Sequence, residues 1–131
     1  MTISNSEYWQ EVLNIAKTLV EDAASATDCD NAETFDQDTI RDYIFDSALH
    51  QAIDSHQWVI YYGYNLPVLQ HSDNAEYGID EFGSDWIADT VKSGGLSGLH
   101  SALAFWALYA DVMGYIDDAI TDYEAALNAD A

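Results

Sequence analysis

Three cations, Lys17, Arg41 and Lys92, face 24 carboxylates along this chain, and no other feature limits its fold as much. A formal net charge of −21 spread over 131 residues repels itself, so a compact state needs a core large enough to offset that repulsion. The apolar content meets the need: 49 % of the residues are hydrophobic and 13 % aromatic, with four Trp and nine Tyr. Acidic disorder requires the opposite, high charge with little to bury. The sign of the charge excludes direct binding to nucleic acid or to an anionic membrane, since both present more negative charge.

One cysteine, Cys29, excludes an intrachain disulfide framework and fits a reducing compartment. The opening MTISNSEYWQ has neither a basic n-region nor an apolar h-region. The longest apolar run, Ala102 to Ala110, is too short to cross a bilayer. A cytoplasmic protein without membrane attachment is the expectation.

Periodicity points to a mostly α protein, a single compact helical domain of about five helices over residues 1–131. Ser4 and Glu7 have capping-box spacing ahead of Trp9, Val12, Leu13, Ala16, Leu19, Val20 and Ala23, which recur at helical period. A polar, turn-rich stretch from Ser25 follows. Asp36 is placed to cap a second helix ending near Asp54, with Ile40, Ile44, Leu49 and Ile53 near one face and Tyr43 and Phe45 beside it. The segment HQWVIYYGYNLPVLQHSD admits two forms. One is a helix from Ser55 that breaks around Asn65–Pro67, and the other a small irregular or β segment around residues 57–80. Asn74 to Gly83 reads as a connection, and Ser84 as the cap of a short helix through Val91. Gly94, Gly95 and Gly98 then form a hinge before LHSALAFWALYADVM, a helix apolar nearly all round and therefore central to the core or buried in an oligomer. A last helix runs from about Tyr115 to Asn128, with Ile116, Ala119, Ile120, Tyr123 and Leu127 on one face.

Enzyme chemistry finds little support. The chain has no G-x-G-x-x-G, P-loop, G-x-S-x-G or H-E-x-x-H motif. The loop SGGLSG has no following Lys or nearby Arg to hold a phosphate. DCDNAETFDQDT from Asp28 imitates a calcium loop at positions 1, 3 and 9. It fails where a Gly and a bidentate Glu are required, since Glu33 and Thr39 stand there. His50, His56, His71 and His100 show no zinc-type spacing. No catalytic residue, metal or cofactor is expected.

The placement of the acids is more informative. Glu7/Glu11, Asp38/Asp42, Asp42/Asp46, Asp85/Asp89 and Asp118/Asp122 are like-charge pairs four residues apart on predicted helices. Each costs roughly 0.2–0.5 kcal/mol. Asp outnumbers Glu by seventeen to seven, although Glu is the better helix former. Short carboxylates on helices imitate a phosphate backbone: acids four residues apart are about 6 Å apart along the axis, close to every second phosphate at ~3.4 Å spacing. The expected partner-binding surface is Asp36, Asp38, Asp42 and Asp46, then Asp117, Asp118 and Asp122, with Asp85 and Asp89. Phe105, Trp106 and Tyr109 are read as a core or dimer seam, so a homodimer stays open. Tyr61, Tyr62 and Tyr64 are core residues or part of a recognition surface. A halophilic protein and an inhibitor or chaperone of one basic protein are the competing readings.

RDYIFDSALHQAIDSH, an acidic helix with a histidine beside a small apolar patch, followed later by GIDEFG, resembles the small acidic anti-defence proteins of phages and mobile elements. In size, helical character and charge the chain is similar to the overcome-classical-restriction family, DNA mimics that block type I restriction enzymes. HQWVIYYGYNLPVLQHSDN resembles a segment of uncharacterised phage and plasmid proteins. The chain departs from the restriction-inhibitor pattern by ending ALNADA instead of in a strongly acidic tail. The resemblance implies a non-enzymatic inhibitor acting in the host cytoplasm. Its partner would be a basic DNA-binding protein or nucleoprotein complex, of restriction–modification or CRISPR surveillance type.

Overall fold

The Ser4–Glu7 capping box is formed: Ser4 Oγ accepts from the Glu7 backbone N–H at 3.1 Å, and the Glu7 carboxylate accepts from the Ser4 N–H at 3.4 Å. It starts α1 (Asn5–Ala26), whose buried face is Tyr8, Val12, Ala16, Leu19, Val20 and Ala23 in a computed structural model that describes residues 2–130. Leu13, expected on that face, is 46 % exposed.

The Asp36 side chain caps α2 (Gln37–Tyr43) by accepting from the N–H groups of Asp38 and Thr39 at 3.1 and 3.4 Å. A π turn over Ile44–Ala48 then joins α2 to α3 (Leu49–Asp54) without interrupting the helix. Its cause is legible in the spacing. Ile40, Ile44, Leu49 and Ile53 are all fully buried, at steps of four, five and four. An α-helix keeps residues four apart on one face, but a step of five drifts off it. The Leu49 N–H bonds to the Ile44 carbonyl five residues back, and the extra residue is absorbed there.

The region 57–80 takes the helical form, interrupted at Tyr61 and over residues 72–76, and no strand occurs among the described residues; the place of the break is what differs from expectation. The break lies at Tyr61, extended at φ −92° and ψ 116°, between α4 (Gln57–Ile60) and α5 (Tyr62–His71). It does not lie around Asn65–Pro67, which sit inside α5. Asn65 explains the shift. Its buried carboxamide donates to the carbonyls of Trp58 and Val59 at 2.8 and 3.1 Å, satisfying the groups α4 leaves open when it stops after one turn. Pro67 removes a single helical donor, and the residue four before it is Gly63.

The expected connection from Asn74 to Gly83 is also helical in its second half. α6 (Tyr77–Met113) bends at Gly83 (φ 79°, ψ −175°) and Gly95 (φ 69°, ψ −166°), backbone conformations that side-chain-bearing residues avoid. The hinge expected in SGGLSG is therefore at Gly95, and the helical piece from Ser84 lies between the two bends. The last stretch, Leu99 to Met113, is central, with Ala104, Phe105, Ala107, Leu108 and Val112 buried among α1, α3, α4 and α5. α7 (Ile116–Asp130) lays Ile116 and Ile120 on the core beside α1. The domain is mostly α, with 82 % of the chain helical, and no helix among the described residues is long and apolar enough to cross a membrane.

Candidate functional site

Among the described side chains Asp111 is the one buried acid, Glu11 and Glu124 are half-buried, and the other twenty are exposed. Two groups of expected site residues meet. Arg41 of α2 bridges to Asp117 of α7 at 3.2 Å while its guanidinium lies 5.5 Å above the Phe45 ring, so α2, which carries Asp38 and Asp42 and runs on to Asp46, and the start of α7 form one acidic region. Within it the carboxylates differ in availability. Asp36 is engaged by its own helix N-terminus and Asp117 by Arg41. Asp38, Asp42 and Asp46 are exposed, and no ion pair is formed by them. Asp85 and Asp89 are not part of this region. They lie on the piece of α6 between Gly83 and Gly95, where Asp89 borders a shallow dip with Thr90, Ser93 and Gly98.

Asp118 and Asp122 look the other way, into an open groove of about 690 Å³ between α1 and α7. Leu13, Ala16 and Val20 of α1 and Ala119 and Ala126 of α7 supply its apolar lining, with Lys17, Glu21, Asp118 and Asp122 as its charged residues. Tyr115, 6.2 Å from the Trp9 ring, marks one end. Tyr123 stands at the other, where burial and then the charges of Asp30 and Glu21 push its hydroxyl above the usual range. The two helices therefore run parallel.

The proposed seam is covered within the chain. Phe105 is buried, and Trp106 meets Phe82 at 4.9 Å, Phe105 at 4.8 Å and Tyr109 at 5.2 Å. Phe82, at the first bend of α6, lies against this stripe, and Trp86 packs on Phe82 at 5.3 Å. Tyr64 packs against the core, whereas Tyr61 and Tyr62 are more than half exposed beside Ile60 and Leu66, and Tyr62 stacks on His100 at 5.8 Å.

Two polar features escaped the pattern. Asp111, 2 % exposed, accepts from the Tyr8 hydroxyl at 2.5 Å and from Asn74 Nδ2 at 2.6 Å, tying α1 and the α5–α6 connection to the central helix. Burial, then the hydrogen bond to Asp111 and its charge, push the Tyr8 hydroxyl well above its usual range. Nothing in the sequence separates Asp111 from 23 other acids except its place within the apolar last stretch of α6, and that was the available signal. The second feature is His56, which caps α4 with Nδ1 accepting from the Trp58 N–H at 3.1 Å, while Nε2 lies 3.6 Å from the Glu11 carboxylate. Burial lowers its affinity for a second proton more than Glu11 raises it.

No group of three or more His, Cys, Asp or Glu among the described residues converges on a metal-sized site. Comparison with protein-family models, curated proteins and solved structures finds no match for this chain.

Proposed function

We propose that this protein is a non-enzymatic DNA mimic that occupies the DNA-binding surface of a basic protein or nucleoprotein complex, of the kind found in restriction–modification or CRISPR surveillance systems. One observation carries the reading: among the described residues twenty carboxylates are exposed, fourteen of them on helices, and a single Lys or Arg forms an ion pair with them. A surface charged only for solubility would mix signs and use Glu with Lys. Asp38, Asp42, Asp46, Asp118 and Asp122 make the pairs with partner Lys and Arg that phosphates would otherwise make. Asp36 and Asp117, already engaged, contribute field more than contact. Asp85 and Asp89 extend the acidic surface on a separate part of the molecule. Inhibition is competitive, and long-range attraction makes association fast at low salt.

The test is capture from a bacterial lysate on immobilised protein, with elution by duplex DNA and a gel-shift assay of the eluate. Elution of a DNA-binding complex whose gel shift the free protein blocks supports mimicry. The variant Asp38→Asn/Asp42→Asn/Asp46→Asn/Asp118→Asn/Asp122→Asn should lose that block. A captured partner indifferent to DNA, or a variant that inhibits as well as the parent, overturns it.

A further inference from the structure

We infer that the groove between α1 and α7 is a docking site for one basic amphipathic helix of the partner. The inference rests on the reading that the partner is basic, and not on the reading that the acids copy phosphates. Leu13 provides the starting point. It belongs to the helical repeat that buries α1, yet it is 46 % exposed and borders the groove. Beside Tyr115 and Tyr123 the α7 wall contributes the small Ala119 and Ala126, and the α1 wall Ala16 and Val20, so the surface is concave where two helices with larger side chains throughout would close together.

The dimensions suit a helix. The α1 wall runs from Gln10 to Glu21 and the α7 wall from Tyr115 to Ala126. Each therefore spans about 16 Å, three helical turns. Anchor side chains at i, i+3 or i+4, and i+7 of a docked helix cover about 10 Å of that length. A volume of about 690 Å³ holds the anchors and leaves the backbone of the docked helix above the rim.

Charge selects the occupant. Glu21, Asp118 and Asp122 outnumber Lys17, so the groove's lining is net negative within a molecule of net charge −21. A second copy of this chain would bring the same charge against it. A partner helix with leucines on one face and Lys or Arg on its flanks satisfies floor and rim together. Lys17 opposes such a helix and restricts which flanking positions can carry cations.

The probes are two fluorescein-labelled 14-residue peptides of identical Leu, Lys, Arg and Ala content. One has Leu at i, i+3 and i+7, and the other disperses the same residues around the helix. Anisotropy titrations use the full chain at 150 mM salt, with circular dichroism to confirm each variant's fold. The patterned peptide should bind at least tenfold more tightly than the dispersed one. Leu13→Asp should weaken the patterned peptide at least tenfold, although it adds a negative charge, and Lys17→Glu should tighten it about threefold. Equal binding of the two peptides, or a Leu13→Asp variant that binds as well as the parent, overturns the proposal in favour of pure charge attraction. Sedimentation of a dimer that Leu13→Asp dissociates overturns it in favour of a second copy. These readouts need no DNA, so a failed duplex elution removes mimicry and leaves the groove, while a failed peptide titration does the reverse.

Discussion

Replacing Tyr8 by Phe removes one oxygen from the core and leaves the Asp111 carboxylate with Asn74 as its remaining side-chain donor. A hydrogen bond to a charged group contributes about 1.5–3 kcal/mol, so Tyr8→Phe should lower stability at pH 7 by about 2 kcal/mol. The same hydroxyl makes the parent sensitive to alkali. Its proton is held more tightly in the folded chain than in the unfolded one, because of burial first and then Asp111. A group whose affinity for its proton rises on folding stabilises fully below its unfolded value, about pH 10 for Tyr, and loses that contribution as pH increases. The parent should therefore lose an additional ~1.4 kcal/mol per pH unit above pH 10 that the Phe variant does not lose. The two stability curves should meet near pH ~11.5, where the lost alkaline term equals the ~2 kcal/mol hydrogen bond. Urea unfolding followed by circular dichroism at pH 7, 9, 10 and 11 measures the difference directly, with the other tyrosines common to both chains. A difference that stays constant from pH 7 to 11, or is below about 0.5 kcal/mol throughout, would refute the reasoning.

Three further outcomes follow from single residues. Gly83→Ala meets no atom within 4 Å, so its cost comes from φ 79° alone and should be about 1–3 kcal/mol in the same unfolding assay. His56 caps α4 only while Nδ1 is unprotonated, and burial depresses its proton affinity, so stability should be full above pH ~6.5 and fall as the solution is acidified. His56→Asn, which keeps a cap acceptor, should flatten that acid limb in a thermal melt series from pH 7.5 to 5. Asp42 participates in two like-charge pairs, so Asp42→Asn should stabilise the fold by about 0.4–1 kcal/mol at 10 mM salt and less at 500 mM, as denaturant midpoints would register.

Most of the helical content was legible because it rests on local rules. The Ser4–Glu7 box, the Asp36 cap and the buried set Ile40, Ile44, Leu49 and Ile53 involve residues within one helix, and the structure places each as the spacing implies. The break in the middle of the chain was misplaced because a side-chain hydrogen bond decided it. Pro67 signals a break on its own, but Asn65 holds the open carbonyls of α4 and moves the break to Tyr61. The acidic surface was half legible. Composition identified the residues, while the Arg41–Asp117 bridge, the capping duty of Asp36 and the turn of Asp118 and Asp122 into the groove depend on which helices lie side by side.

By itself, then, the amino-acid order determined a helical chain with a strong negative field and an apolar last segment of α6 that had to be covered. Those properties follow from charge count and from residues three or four positions apart. Only the tertiary structure decided that Asp111 is buried against Tyr8, that Phe82 packs on Trp106, and that Leu13 is left open beside α7. Each of these depends on contact between residues far apart in the chain, and helical periodicity carries information about a face but none about what comes to rest on it.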